Sequence, residues 1–187
     1  MKLHEYTDLI LNDPTEKPFL KKVKDEWHRF QQGKPVNTKI VPVEIYASWK
    51  RCREYGVDPY ELKSFPVHVS RKKELEQFNA LLNAYQHFFD CTLDLYKDEN
   101  FSFSIGTCTG IRRIISNKGL HFPTFVGECH EGTVGTTAST LAHRNNKPAL
   151  LTYHYFYKQD YFQTVNSVAA PIHDENNNIL GTIGITY

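Results

Sequence analysis

The stretch Phe101-Ser102-Phe103-Ser104-Ile105, followed by Thr107-Cys108-Thr109-Gly110 and then by Ile111 to Ile115, decides the fold. Apolar and small polar residues alternate with a period of two, the mark of a strand with one face buried. Thr107 to Gly110 reads as the turn of a hairpin whose second strand is Ile111 to Ile115. The alternation puts Phe101, Phe103 and Ile105 on one side of a sheet, because a one-residue slip would turn all three to water. That side is expected to be a pocket floor or the core beneath it.

Upstream the period lengthens. Ser70 can cap a helix in which Leu75, Phe78, Leu82, Tyr85 and Phe89 recur three and four residues apart, and Leu81 and Phe88 widen the stripe. So broad an apolar face exceeds one sheet contact, which predicts a second contact with the N-terminal helices or with another copy of the chain. One intramolecular core face is the alternative. Further back, Asp13-Pro14-Thr15-Glu16 has the order of an N-cap, a first-turn proline and a capping-box acid, and Phe19, Val23, Trp27 and Phe30 keep helical spacing until Gly33. Val41-Pro42 opens another helix in which Ile45, Trp49 and Cys52 share a face and Gly56 supplies the stop. Asp58-Pro59-Tyr60-Glu61 repeats the capping order for one short turn.

Downstream, Gly132 to Ala138 leads into a short helix around Leu141 to Arg144, closed by Asn145-Asn146. Pro148 to Tyr153 reads as a strand. Ser167 to His173 and Ile179 to Thr186 flank the polar turn Asp174 to Asn178, a second hairpin. Helices first and an antiparallel sheet with short helices after them define an α+β protein. The boundary falls at residues 66 and 67, a helical region of residues 1–66 before a sheet domain of residues 67–187.

Composition narrows the function. The 187 residues carry 22 Lys plus Arg against 21 Asp plus Glu, a net charge of +1 without any block of like charge, so nothing marks a nucleic-acid or anionic-membrane surface. A chain this long buries about 70% of its unfolded surface and needs no disulfide or metal staple. No stretch reaches the ~20 apolar residues of a membrane span and the N-terminus lacks a signal-peptide pattern, so the expected location is the cytoplasm. Cys52, Cys91, Cys108 and Cys129 are widely spaced, without a C-x-x-C pair, and are expected to be reduced.

Three motifs invite chemistry. Gly132-Thr133-Val134-Gly135-Thr136-Thr137 suggests a phosphate loop, but it lacks the Gly-Lys-Ser/Thr ending; a tight turn capped by Thr136 or Thr137 suits it better. Cys129-His130-Glu131, with Cys108, His121 and His154, offers ligand types for zinc or iron, against a buried thiol beside a hydrogen-bonded histidine. As nucleophile and base, Cys129 and a histidine lack any specifying pattern. The tract Tyr153-His154-Tyr155-Phe156-Tyr157 with Tyr161-Phe162 is either core or a pocket wall, since aromatic walls with few polar tips are what small-molecule sites use.

Ser48-Trp49-Lys50-Arg51-Cys52-Arg53, then Gly56-Val57-Asp58-Pro59, resembles the S-W-x-R-C-x-x-x-G-x-D-P signature of the sensor region in sigma-54-dependent activators of the acetoin-operon and dihydroxyacetone-operon type. Glu131 to Ala138 is similar to that family's E-x-x-x-G-T-N-A segment, and Ala169-Ala170-Pro171-Ile172-His173-Asp174 to its A-A-P-I-x-D. Tyr153-His154-Tyr155 falls where the family has an E-H-aromatic triplet. The motifs occur in the family's order from about Glu44 to Tyr187. Two departures, Thr137 for Asn and Tyr153 for the acid, alter polar positions, so the family's ligand is not carried over.

The resemblance implies a GAF domain with a small-molecule cavity over one sheet face, a helical appendage before it, and an ATPase and a DNA-binding domain after Tyr187, where the chain is expected to be a fragment. The expected ligand-binding residues are Phe101, Phe103, Phe125, Cys129, Glu131, Thr136, Thr137, Tyr153, His154 and Tyr155, of which the resemblance implies the polar clusters at 131–137 and 153–155, and no catalytic residue, metal or cofactor is expected. The hydroxyl-rich aromatic lining suggests an uncharged or aromatic ligand rather than a polyanion. The expected partners are a small-molecule effector and a second copy of the chain. Sigma-54 RNA polymerase and DNA would be reached only through the other domains, and a membrane not at all. Competing readings are a metal or redox sensor using Cys129, Cys108 and histidines, and an enzyme resembling free methionine sulfoxide reductases, which the unpaired cysteine spacing disfavours.

Overall fold

The computed structural model describes residues 17–61, 72–95, 101–108, 111–116, 125–159 and 165–187. The element order is α1 (Lys17–Gln31), α2 (Val43–Glu54), α3 (Lys72–Leu95), β1 (Ser102–Thr107), β2 (Ile111–Ser116), β3 (Phe125–Glu128), α4 (Glu131–Val134), α5 (Ala138–Asn145), β4 (Ala149–Thr152), a 3-10 turn (Tyr153–Tyr155), β5 (Asn166–His173) and β6 (Ile179–Thr186). The capping stretch Asp13 to Glu16, Ser70, His121, Tyr161 and Phe162 lie outside the described residues.

The six strands form one antiparallel sheet in the order β3-β2-β1-β6-β5-β4. Both expected hairpins are present, with Phe103 opposite Ile115 and Ala170 opposite Ile183. The short edge strand β3 has no counterpart in the sequence reading.

Two layers cover the sheet. On one face α3 packs through Phe78, Leu81 and Phe89, and Phe101, just before β1, with Phe103 and Ile105 of β1 meet Leu81 and Phe89 there. All three side chains are buried, as the alternation requires. Phe103 has edge-to-face contacts with Phe101 at 5.2 Å and Phe89 at 5.5 Å. Phe103→Ala is expected to cost about 3 to 5 kcal/mol, seen as a lower urea midpoint at unchanged slope. The seam sits closer to Leu81 than to Leu82: Leu82 and Tyr85 are only half-buried, and Leu75 and Phe88 are exposed. Among the described residues the N-terminal helices belong to a different core.

That second core fills the opposite layer. Val23, Trp27 and Phe30 of α1 and Ile45, Trp49 and Cys52 of α2 pack with Ala138, Leu141, Leu151, Phe156 and Tyr157. Two indoles anchor it: Trp27 Nε1 donates to the Tyr157 carbonyl and Trp49 Nε1 to the Tyr155 carbonyl, each at 3.0 Å. Lys158 Nζ ties the turn after α2 to the same layer, donating to the Asp58 carbonyl and, at 2.6 Å, to that of Glu61. Gly56 ends α2 with φ +71, and Asn146 ends α5 in the left-handed region at φ 51.

Candidate functional site

The sheet face away from α3 and the strip from Cys129 to Arg144 enclose a cavity in two adjoining parts. An outer cleft of about 430 Å³ is lined by Tyr55, Thr107, Cys108, His130, Glu131, Gly132, Thr140, His143, Arg144 and Thr182. An inner chamber of about 60 Å³ is lined by Ser102, Ser104, Ile114, Val134, Thr137, Phe156, Ser167 and Thr186. Arg112, Cys129 and Ser139 border both parts.

Local chemistry builds the wall. His130 caps α4, its Nδ1 accepting from Gly132 N at 3.2 Å, while the Thr133 hydroxyl accepts from His130 N at 3.1 Å. Thr137 caps α5: its hydroxyl accepts from Thr140 N at 3.2 Å, and Thr140 Oγ1 accepts from Thr137 N at 2.9 Å. Gly135 joins the two helices at φ +79, and a Cβ there would stand 2.9 Å from Tyr157 Cβ, so a side chain is excluded twice over. The glycines thus serve a tight turn, and its amides are used by local caps rather than offered to a phosphate.

The motif on α2 binds this wall from behind. Ser48 Oγ donates to Glu131 Oε1 at 2.5 Å and shares a hydrogen bond with Thr136 Oγ1 at 2.8 Å. Arg51 grips the same carboxylate with two bonds of 2.7 Å, from Nε and Nη2. Those bonds hold the guanidinium above its ordinary pKa. Cys52 Sγ lies 3.5 Å from Thr136 Oγ1, and burial pushes its thiol up to about 11. All four cysteines are free of disulfides.

The site residues expected from sequence therefore separate. Cys129 and Glu131 line the outer cleft, and Cys129 and Thr137 the inner chamber. Thr136 is fully buried behind the wall on Ser48. Phe101 and Phe103 are placed on the α3 face rather than in the cavity, because the alternating residues Ser102 and Ser104 take the chamber side. His154 and Tyr155 line neither part: the indole bonds from Trp27 and Trp49 draw their tract beneath the N-terminal helices. The side chains of Phe125 and Tyr153 lie outside the described residues. Of the polar residues expected around one cavity, Glu131 and Thr137 line it, Thr136 is turned to Ser48 of α2, and His154 and Tyr155 lie away from both parts.

Among the described residues no three His, Cys, Asp or Glu side chains converge as a metal-ligand set. No helix there is long and apolar enough to cross a membrane.

His154 is 5% exposed, and burial, with repulsion from Lys24, lowers its pKa to about 4. An unfolded histidine titrates near 6.5, so between about pH 6.5 and pH 4 the unfolded state binds more protons, and stability falls as pH falls through that window. His143 is shifted the same way, by burial and then by Arg112 and Arg144. Urea melts from pH 7.5 to pH 4.5 are expected to show this loss, and His154→Gln to flatten it.

Sequence reasoning missed Arg112. Its side chain enters the cavity from β2, and the residue is 6% exposed. Nη1 donates to Ser104 Oγ at 3.0 Å and Nη2 to Thr182 Oγ1, while Nε has no partner among the described residues. Burial lowers its pKa.

A six-stranded antiparallel sheet with a long helix on one face and a cavity under short helices on the other is a GAF-like α+β fold. A chain in the crystal structure of the E. coli DhaR(N)-DhaL complex is similar to it in structure, with a TM-score of 0.61 and 20% sequence identity. The match covers 76% of this chain and 52% of that one, about half its length. No family model and no curated protein matches the sequence.

Proposed function

We propose that this chain is a small-molecule-sensing module of a sigma-54-dependent transcriptional regulator, acting by binding rather than catalysis. The observation that carries the reading is the coupling of cavity to appendage: Glu131 lines the outer cleft and is at the same time held by Ser48 and Arg51 of α2. A ligand that prefers one position of the Glu131 to Thr140 wall thereby biases α2. To reverse a 1:99 equilibrium that preference must reach about 5.5 kcal/mol. The fold shared with a chain of the DhaR(N)-DhaL complex, together with the S-W-x-R-C and E-x-x-x-G-T segments meeting in space, supports this class of regulator. A homodimer through the exposed flank of α3, where Phe88 and Leu95 lie seven residues apart, completes the proposal; sedimentation of Phe88→Glu tests it.

The test of sensing is a thermal-shift screen of metabolites followed by tryptophan emission. Ligand at 100 times its dissociation constant should stabilise by about 2.7 kcal/mol. Both tryptophans of the chain sit in α1 and α2, so emission reports on the appendage directly. Hits that raise the melting temperature and change emission support the reading; a library without hits sinks it.

A further inference from the structure

The cavity holds a cation without a counter-ion. Arg112 is nearly fully buried, yet its two side-chain partners, Ser104 and Thr182, are neutral hydroxyls, and no carboxylate pairs with it among the described residues. A guanidinium has five N–H donors, and burying one against hydroxyls alone leaves most of its lost hydration uncompensated. Among the described residues the only carboxylate lining either part is Glu131, already committed to Arg51 at 2.7 Å, and the Cys129 thiol is a further titratable group beside the guanidinium. Arg144 adds a second positive group at the outer cleft. Around the guanidinium, Ile114, Val134 and Phe156 give the inner chamber an apolar side.

We infer that the cavity takes a small organic acid, its carboxylate bound by the Arg112 guanidinium N–H groups that Ser104 and Thr182 leave free, its apolar body against Ile114, Val134 and Phe156. This rests on the sensing proposal and names its ligand class. A planar fork of donors matches a carboxylate in two-point geometry, and a buried hydrogen bond to charge is stronger than a neutral one. Ser104 and Thr182 hold the fork in place from the side, so the arginine is oriented before the ligand arrives. The inner chamber of about 60 Å³ is far smaller than the outer cleft of about 430 Å³, so a short body suits it and anything longer extends into the outer cleft. The uncharged ligand suggested by composition would leave the buried cation unpaired.

The experiment titrates propionate and benzoate against propionamide and benzamide, with inorganic phosphate as a further anion, by calorimetry and thermal shift. At least one acid is expected to bind, and its amide about 30-fold or more weaker, the factor for losing a hydrogen bond to a charged group. Arg112→Met should abolish the response to the acid and melt at or above the wild-type temperature, because it removes an uncompensated charge. Should that variant not fold, the Arg112 Nε–H resonance of the wild type decides: it should shift with the acid and not with the amide. Amides binding as tightly as acids, phosphate binding in place of both acids, or an acid response surviving in Arg112→Met overturns the inference while leaving sensing intact. Absence of any ligand, charged or neutral, in the wider metabolite screen removes the sensing proposal itself.

Discussion

Trp49→Ala is expected to lower stability by about 3 to 5 kcal/mol, a large share of the 5 to 15 kcal/mol that holds a typical domain together. Trp49 is fully buried, packs 5.6 Å from Phe30, and donates its indole N–H to the Tyr155 carbonyl. Truncation opens a void between α2 and the aromatic tract and removes the indole hydrogen bond to the Tyr155 carbonyl. Since this core joins residues of α1, α2, α5 and β4, the loss should appear as one earlier transition. Circular dichroism and tryptophan emission, the latter now from Trp27 alone, should coincide across a urea melt; a separate early melt of the helices would contradict the shared core.

Glu131→Ala should cost a comparable amount. It removes the acceptor of three short bonds and leaves Arg51, whose side chain is 20% exposed, without its counter-ion. Breaking a largely buried pair from one side costs about 3 to 5 kcal/mol. Glu131→Gln keeps the shape and one acceptor, so it should cost less. Removing Arg51 as well should recover part of the loss, because the stranded charge then disappears; a double-mutant cycle in urea is expected to show a coupling of about 0.5 to 3 kcal/mol. Strictly additive effects would mean that the pair is solvated in solution.

The sequence was most readable where the information is local. The period of two from Phe101 to Ile105, the helix of α3 with Phe78, Leu81 and Phe89 inward, the Thr137 cap and the stop at Gly56 all depend on neighbours a few residues away, and each is found, whereas Leu75 and Phe88 of the expected α3 stripe are exposed. The partnership of Ser48 and Arg51 with Glu131 spans 83 and 80 residues, and only the order of motifs hinted that the two segments meet. Arg112 was illegible for another reason. In Ile111-Arg112-Arg113-Ile114 neither arginine is marked as inward, and the choice follows from pairing β2 with β1 on one side and with β3 on the other. Had β3 been recognised, β2 would have read as an interior strand with one arginine on each face. The misplacement of His154 has the same origin, since its destination was set by indoles on two distant helices.

The alternation in β1 carries a lineage consequence. Odd-numbered side chains Phe101, Phe103 and Ile105 belong to the α3 core, and even-numbered Ser102 and Ser104 belong to the chamber. Substitutions of the second kind can reshape what the chamber accepts while the packing against α3 is untouched, and those of the first kind do the reverse. Descendants of such a chain can diverge in specificity without first acquiring surplus stability, because one strand keeps the two inheritances on opposite sides.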